Sequence, residues 1–206
     1  MYHLKKILSI SIILFLVSCK TKSPPLPYIG EKSINQSGDT IYHSLPDFKL
    51  VNQESQKISL QTVTGKIHVA NFFFTSCPSI CPVMMNNMKS VDKKYASKGE
   101  INILSFTVDP KTDTIAKLKK YADKLEVSKN WHLITGEKDE IYSLAEKGYF
   151  SSASEDEFAP GGFLHSEFFF LVDEQNHVRG VYDGTNKEEV KQLLSDIKLL
   201  KDANTN

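Results

Sequence analysis

Two thiols in this sequence are spaced to act together. Cys77 and Cys81 lie four residues apart in Cys77-Pro78-Ser79-Ile80-Cys81-Pro82. On a helix that spacing brings the Cα atoms to about 6 Å, from a rise of about 1.5 Å per residue and about 3.6 residues per turn. A disulfide spans that distance, and two sulfurs on one side can instead share a metal ion. An apolar run precedes the segment and a helical pattern follows it, so the spacing predicts a helix opening at Cys77. Unpaired N–H groups and the helix dipole would favour a thiolate there. Pro78 suits the first helical position because it has no N–H to leave unpaired, whereas Pro82 cannot donate back to the Pro78 carbonyl and loosens the first turn. Redox pairs are commonly C-x-x-C. The extra residue here widens the bite and leaves metal sharing and disulfide exchange both open.

The elements that must position this pair read as alternating strand and helix. Phe48 to Asn52 and Lys57 to Ser59 form a short N-terminal hairpin pattern. Ile67 to Phe74 is a continuous apolar run between Gly65 and the cysteine turn, as expected of a buried central strand. Met84, Met88, Val91 and Tyr95 follow at helical spacing. Ile101 to Val108 is a second buried strand ended by Asp109-Pro110, and Ile115, Leu118, Ala122 and Leu125 mark another helix. Trp131 to Thr135 is a third strand, before a helix with Ile141, Leu144 and Ala145. Ser166 to Val172 is a fourth, and Arg179 to Tyr182 pairs back to it across a turn. A last helix carries Val190, Leu193, Leu194 and Ile197, with Thr185 and Glu188 as its capping box. Ser151 to Gly162, small and polar with an acidic run, reads as a loop. This order predicts an α/β domain of thioredoxin-like fold, a central mixed sheet flanked by helices, with an N-terminal hairpin.

Two thiolates alone are an incomplete copper or zinc site, so a third ligand is expected. His3 falls in the N-terminal apolar leader and His43 in the segment before the domain. His68 sits inside a strand, His132 begins one, and His177 lies in a turn open to solvent. His165 immediately precedes the strand Ser166 to Val172. In a thioredoxin-like topology the loop entering that strand faces the helix after the cysteines, which makes His165 the candidate third ligand.

The rest of the chain bounds the setting. The 206 residues suffice for one domain, and 25 basic against 25 acidic residues exclude a chain-wide basic footprint for nucleic acid. Met1 to Lys6 is basic, Ile7 to Val17 is an eleven-residue apolar stretch, and Leu16-Val17-Ser18-Cys19 looks like a bacterial lipobox. The expectation is a lipoprotein signal peptide over 1–18, a lipidated Cys19 with a flexible, proline-bearing tether over 19–44, the domain over 45–200 and a tail over 201–206. Such a protein is exported to the cell envelope and membrane-anchored on the periplasmic side, where disulfides persist. A peroxide-consuming thiol enzyme is disfavoured, because Arg179 is the sole arginine and is remote in sequence from Cys77.

The segments Phe72 to Met88, Leu104 to Thr114 and Phe163 to Gly184 together resemble the Sco/SenC family of copper-binding, thioredoxin-like proteins. The C-x-x-x-C-P motif, the Val-Asp-Pro motif and the downstream histidine occur in the family's order, over roughly residues 45–200. The resemblance implies one copper ion, Cu(I) or Cu(II), held by Cys77, Cys81 and His165. It implies a role in assembling the dinuclear copper centre of cytochrome c oxidase, as copper donor or as thiol reductant of the target. The partners would be the copper-centre subunit of the oxidase or another copper protein, together with a copper donor. The donor set agrees: thiolates are soft and select Cu(I), while imidazole also suits Cu(II). Structural zinc wants a fourth ligand. Met84, Met85 and Met88 are left to the core. Asp109, ending a strand near the site, is either a partner to a ligand or a turn-forming Asp-Pro.

Overall fold

The computed structural model describes residues 25–203; Cys19 and the leader lie outside them. Strands β1 (Lys32–Ile34) and β2 (Thr40–Tyr42) pair antiparallel as a separate hairpin. Next come β3 (Lys49–Asn52), β4 (Lys57–Ser59) and the single turn α1 (Leu60–Val63). Then β5 (His68–Phe73), α2 (Cys81–Lys94), β6 (Asn102–Thr107), α3 (Ile115–Leu125) and β7 (Trp131–Thr135) build two strand–helix–strand crossover units. After α4 (Lys138–Ser143) the chain continues in a wider turn over Leu144–Gly148. Strands β8 (Ala153–Glu155), β9 (Phe163–His165), β10 (Phe168–Val172) and β11 (Val178–Asp183) precede the last helix, α5 (Lys187–Ala203).

Seven strands form one sheet in the order β11-β10-β5-β6-β7-β3-β4. β5, β6 and β7 run parallel, while β10 runs antiparallel to β5. The apolar run at Ile67 to Phe74 is continuous because β5 is central and buried on both faces. Successive side chains along β5 point to opposite faces. Asn71 donates to Met85 Sδ at 3.7 Å and the Phe73 ring lies 5.8 Å from Tyr121, so α2 and α3 cover one face. His68 and Phe72 meet Tyr149, so the turn after α4 covers the other. Among the described residues no helix is long and apolar enough to cross a membrane.

The N-terminal hairpin pattern is β3–β4, and it extends the main sheet rather than standing apart. Four local expectations are corrected. The helix after the cysteines starts at Cys81, not Cys77, and Pro82 sits in its first turn where a missing N–H costs nothing. Asn186 caps α5 in place of Thr185, accepting the Glu188 N–H at 2.9 Å, because the Thr185 hydroxyl is committed to Asp183. Ser151 to Gly162 is largely the first strand and loop of the β8–β9 hairpin. The stretch read as a flexible tether packs on the domain from Leu26 onward: Arg179 donates to the Leu26 and Pro27 carbonyls, and Ile29 N–H to Val178 O.

Candidate metal centre

β5 delivers the chain to Thr75, and a short loop carries Cys77 to the start of α2 at Cys81. On the other side, β9 ends at His165, which pairs with Ala153 across the small hairpin. Gly161, at φ +82°, lets the hairpin loop approach so closely that a Cβ there would stand 2.8 Å from the Phe74 ring and 3.3 Å from Pro78. The Phe74 ring packs edge-on to His165 and against Phe163. The hairpin thus lies against the cysteine loop, and sulfur, sulfur and imidazole converge although His165 lies 84 residues beyond Cys81.

The ligand atoms of Cys77, Cys81 and His165 all lie within 4.8 Å of one another, and all three residues are buried. Both cysteines are free thiols. An ion about 2.0 to 2.3 Å from each donor fits such a triangle with small adjustments. His165 Nε2 stands 3.2 Å from Cys81 Sγ, while Nδ1 lies 3.0 Å from the Ser166 carbonyl. A carbonyl only accepts, so it fixes the proton on Nδ1 and leaves the Nε2 lone pair facing the thiols. Burial holds the His165 pKa below its ordinary value, with the Ser166 carbonyl and Glu167 opposing only in part, so the ring is neutral at pH 7.

The two thiols are not equivalent. Burial raises the Cys77 pKa, but hydrogen bonds from the Ser79 and Cys81 backbone, and from the Cys81 and Ser79 side chains, outweigh it and the net shift is downward. Burial pushes Cys81 strongly up, reinforced by Cys77 and by the charge of Asp113. Cys77 is therefore the thiolate-prone member, from hydrogen bonding in its loop rather than from the helix start the sequence suggested.

Asp109 is buried, but among the described residues its carboxylate accepts from the Thr112 N–H and from neither cysteine nor His165. It is the turn-forming aspartate. The acid that reaches the cysteine loop is Asp113, four residues on, bonded to Thr75. Its signal was the second acid in Val108-Asp109-Pro110-Lys111-Thr112-Asp113. Among the described residues the other histidines stay away: His43 meets Gly148 O, His68 meets Tyr149, His132 meets Asn52, and His177 is half-buried against His43 O rather than solvated; His3 lies outside the described residues. Met84, Met85 and Met88 are fully buried in the core.

A family model described as SCO1/SenC matches residues 38–201. A SCO1 protein homolog of Bacillus subtilis is 30% identical over 190 residues, 91% of each chain. Three solved structures share the fold. A SCO1/SenC family lipoprotein from Bacillus anthracis is 29% identical with a TM-score of 0.71, over 77% of this chain and 95% of its own. BsSco, described as a Sco family cytochrome c oxidase assembly protein with a disulfide switch, is 30% identical with a TM-score of 0.68, over 77% and 93%. Yeast Sco1 with copper bound is 26% identical with a TM-score of 0.60, over 76% and 90%.

Proposed function

The chain belongs to the SCO1/SenC family, and on that premise we propose that it is a membrane-tethered, extracytoplasmic copper chaperone that helps assemble the dinuclear copper centre of cytochrome c oxidase. The observation that carries this is the three-donor cluster of Cys77, Cys81 and His165. Two sulfurs and one neutral imidazole suit Cu(I) and Cu(II) alike. Three donors leave structural zinc one short. The copper is cargo: the thiols lose their protons as it binds, and it leaves to a target with more or softer donors. The test mixes the copper-loaded protein with the copper-free soluble domain of the oxidase subunit. The expected result is transfer of one ion per chain; retention of all copper by this protein under a large excess of target contradicts the donor role.

A second reading rests on the inequality of the thiols. Cys77 as thiolate can attack a target disulfide to give a mixed disulfide, releasing one target thiolate. Cys81 then attacks Cys77 Sγ, releasing the second target thiol and leaving a Cys77–Cys81 disulfide. The target gains the two electrons this pair loses. In the same assay, reduced but copper-free protein that reduces the target's disulfide supports this role.

The same reading has Cys19 lipidated at the lipobox-like Leu16-Val17-Ser18-Cys19, holding the protein at the cell envelope, and the likeness to the B. anthracis lipoprotein supports it. Palmitate labelling in cells should vanish in Cys19→Ser; labelling unchanged by that substitution contradicts the anchor.

A further inference from the structure

We propose that Asp113 is the positioning residue of the cysteine loop, gripping Thr75 so that Cys77 stands opposite Cys81 and His165. Asp113 is 0% exposed. Its Oδ2 accepts the Thr75 N–H at 2.9 Å and the Thr107 hydroxyl at 2.7 Å. Its Oδ1 accepts the Thr75 hydroxyl at 2.5 Å and the Lys117 ammonium at 3.1 Å. A carboxylate offers about four acceptor positions, so these donors fill it. Two of them come from Thr75, two residues before Cys77.

Apart from the bonds that Ser79 and Cys81 make to the Cys77 sulfur, the loop has little else to hold it. Between Thr75 and the first turn of α2, the backbone bond is Cys77 N–H to Phe74 O at a long 3.3 Å. Ser76, Pro78 and Ser79 are exposed. Cys77 therefore hangs between two fixed points, Thr75 and the start of α2. Asp113 is itself immobilised: its N–H donates to Asp109 O at 2.8 Å, and Thr114 caps α3 immediately after it. The carboxylate thus ties the cysteine loop to the ends of β6 and α3. Its removal leaves Thr75's half-buried donors without their acceptor, a cost borne at the loop.

The test has one arm that needs no copper and one that rests on the copper reading. The first is amide hydrogen exchange on the reduced, metal-free full chain. Asp113→Asn and Thr75→Val should speed exchange at Thr75 and Cys77 at least tenfold while the protein stays folded, and Thr75→Ser, which keeps the hydroxyl, should restore the wild-type rate. The second is the thiolate-to-Cu(II) absorption, whose bands should shift or fade in the first two variants and return in the third. Wild-type exchange rates in Asp113→Asn and Thr75→Val would overturn the proposal, as would variants of lowered melting temperature with unaltered bands. Should wild-type protein show no bands, the copper reading fails and exchange alone decides. Should Asp113→Asn not fold, Thr75→Val carries both readouts.

Discussion

The chemistry at residue scale is set by which polar atoms burial leaves unsolvated. The Ser166 carbonyl selects the His165 tautomer, and the Cys77 loop bonds offset what burial does to that thiol. Histidine type and topology pointed to His165; the carbonyl that aims it is a backbone atom and leaves no mark in a sequence. The same physics acts on His68, which the site does not use. His68 is fully buried in β5, and burial lowers its pKa from 6.5 to about 4. The folded value lies below the unfolded one, so the unfolded chain takes up the proton first as pH falls. Its contribution is complete above about pH 6.5 and lost between there and pH 4, roughly 3 kcal/mol from that shift. His68→Gln, which does not titrate, should flatten this part of the acid limb of thermal stability. An acid limb as steep as in wild type would show that the destabilising proton goes elsewhere.

At the scale of elements, strands were legible where burial is two-sided and the apolar run unbroken. β7 stands at Trp131–Thr135, where it was expected, and β5 lies within Ile67 to Phe74. The helix start was misplaced by four residues, because Pro78 and Pro82 both fit a first turn and only tertiary packing chooses between them. The β8–β9 hairpin was missed because three-residue strands carry too little alternation to show a period. Its approach to the site is testable at two adjacent glycines. Gly161 and Gly162 both have positive φ, so alanine at either pays about 1 to 2 kcal/mol of backbone strain. Only at 161 does the new Cβ also meet Phe74 and Pro78; at 162 nothing lies within 4 Å. Gly161→Ala should weaken metal binding and lower the melting temperature more than Gly162→Ala does. Equal effects on both readouts would mean that the hairpin loop does not seat His165.

For the whole molecule, the least legible feature is the strap that precedes the domain. Proline-bearing, weakly periodic sequence reads as tether, and what holds it, beside the Ile29 N–H bond to Val178 O, is an arginine more than 150 residues away. Arg179 donates to Leu26 O and Pro27 O, pairs with Asp173 at 2.8 Å and stacks 4.0 Å over Tyr28, whose ring also meets Tyr42 and His177. Removing one partner of a buried ion pair costs about 3 to 5 kcal/mol. Arg179→Ala should therefore lose stability of that order and open Leu26 to Glu31 to proteolysis; an uncleaved strap and an unchanged melting temperature would contradict the clasp. The clasp also fixes the end of the sheet at which the strap is held. β11 pairs Gly180 with Leu171, near the His68 end of β5, whereas the cysteines follow the far end, about 20 Å along the strand. If Cys19 carries the proposed anchor, about 25 Å of chain at most precedes Leu26, and the metal centre would lie at the end of the sheet far from that attachment.

Two thiols and one imidazole forming a single copper site can be tested by copper titration of the full chain. Reduced protein should bind one Cu(I) per chain tightly, and oxidation to the Cys77–Cys81 disulfide should abolish that binding. His165→Ala should weaken Cu(II) by at least about a hundredfold, erase or shift its thiolate charge-transfer bands, and leave Cu(I) partly bound on the two sulfurs. His132→Ala should change none of these. Equal Cu(I) affinity of reduced and oxidised protein, or bands lost in His132→Ala and kept in His165→Ala, would contradict the assignment.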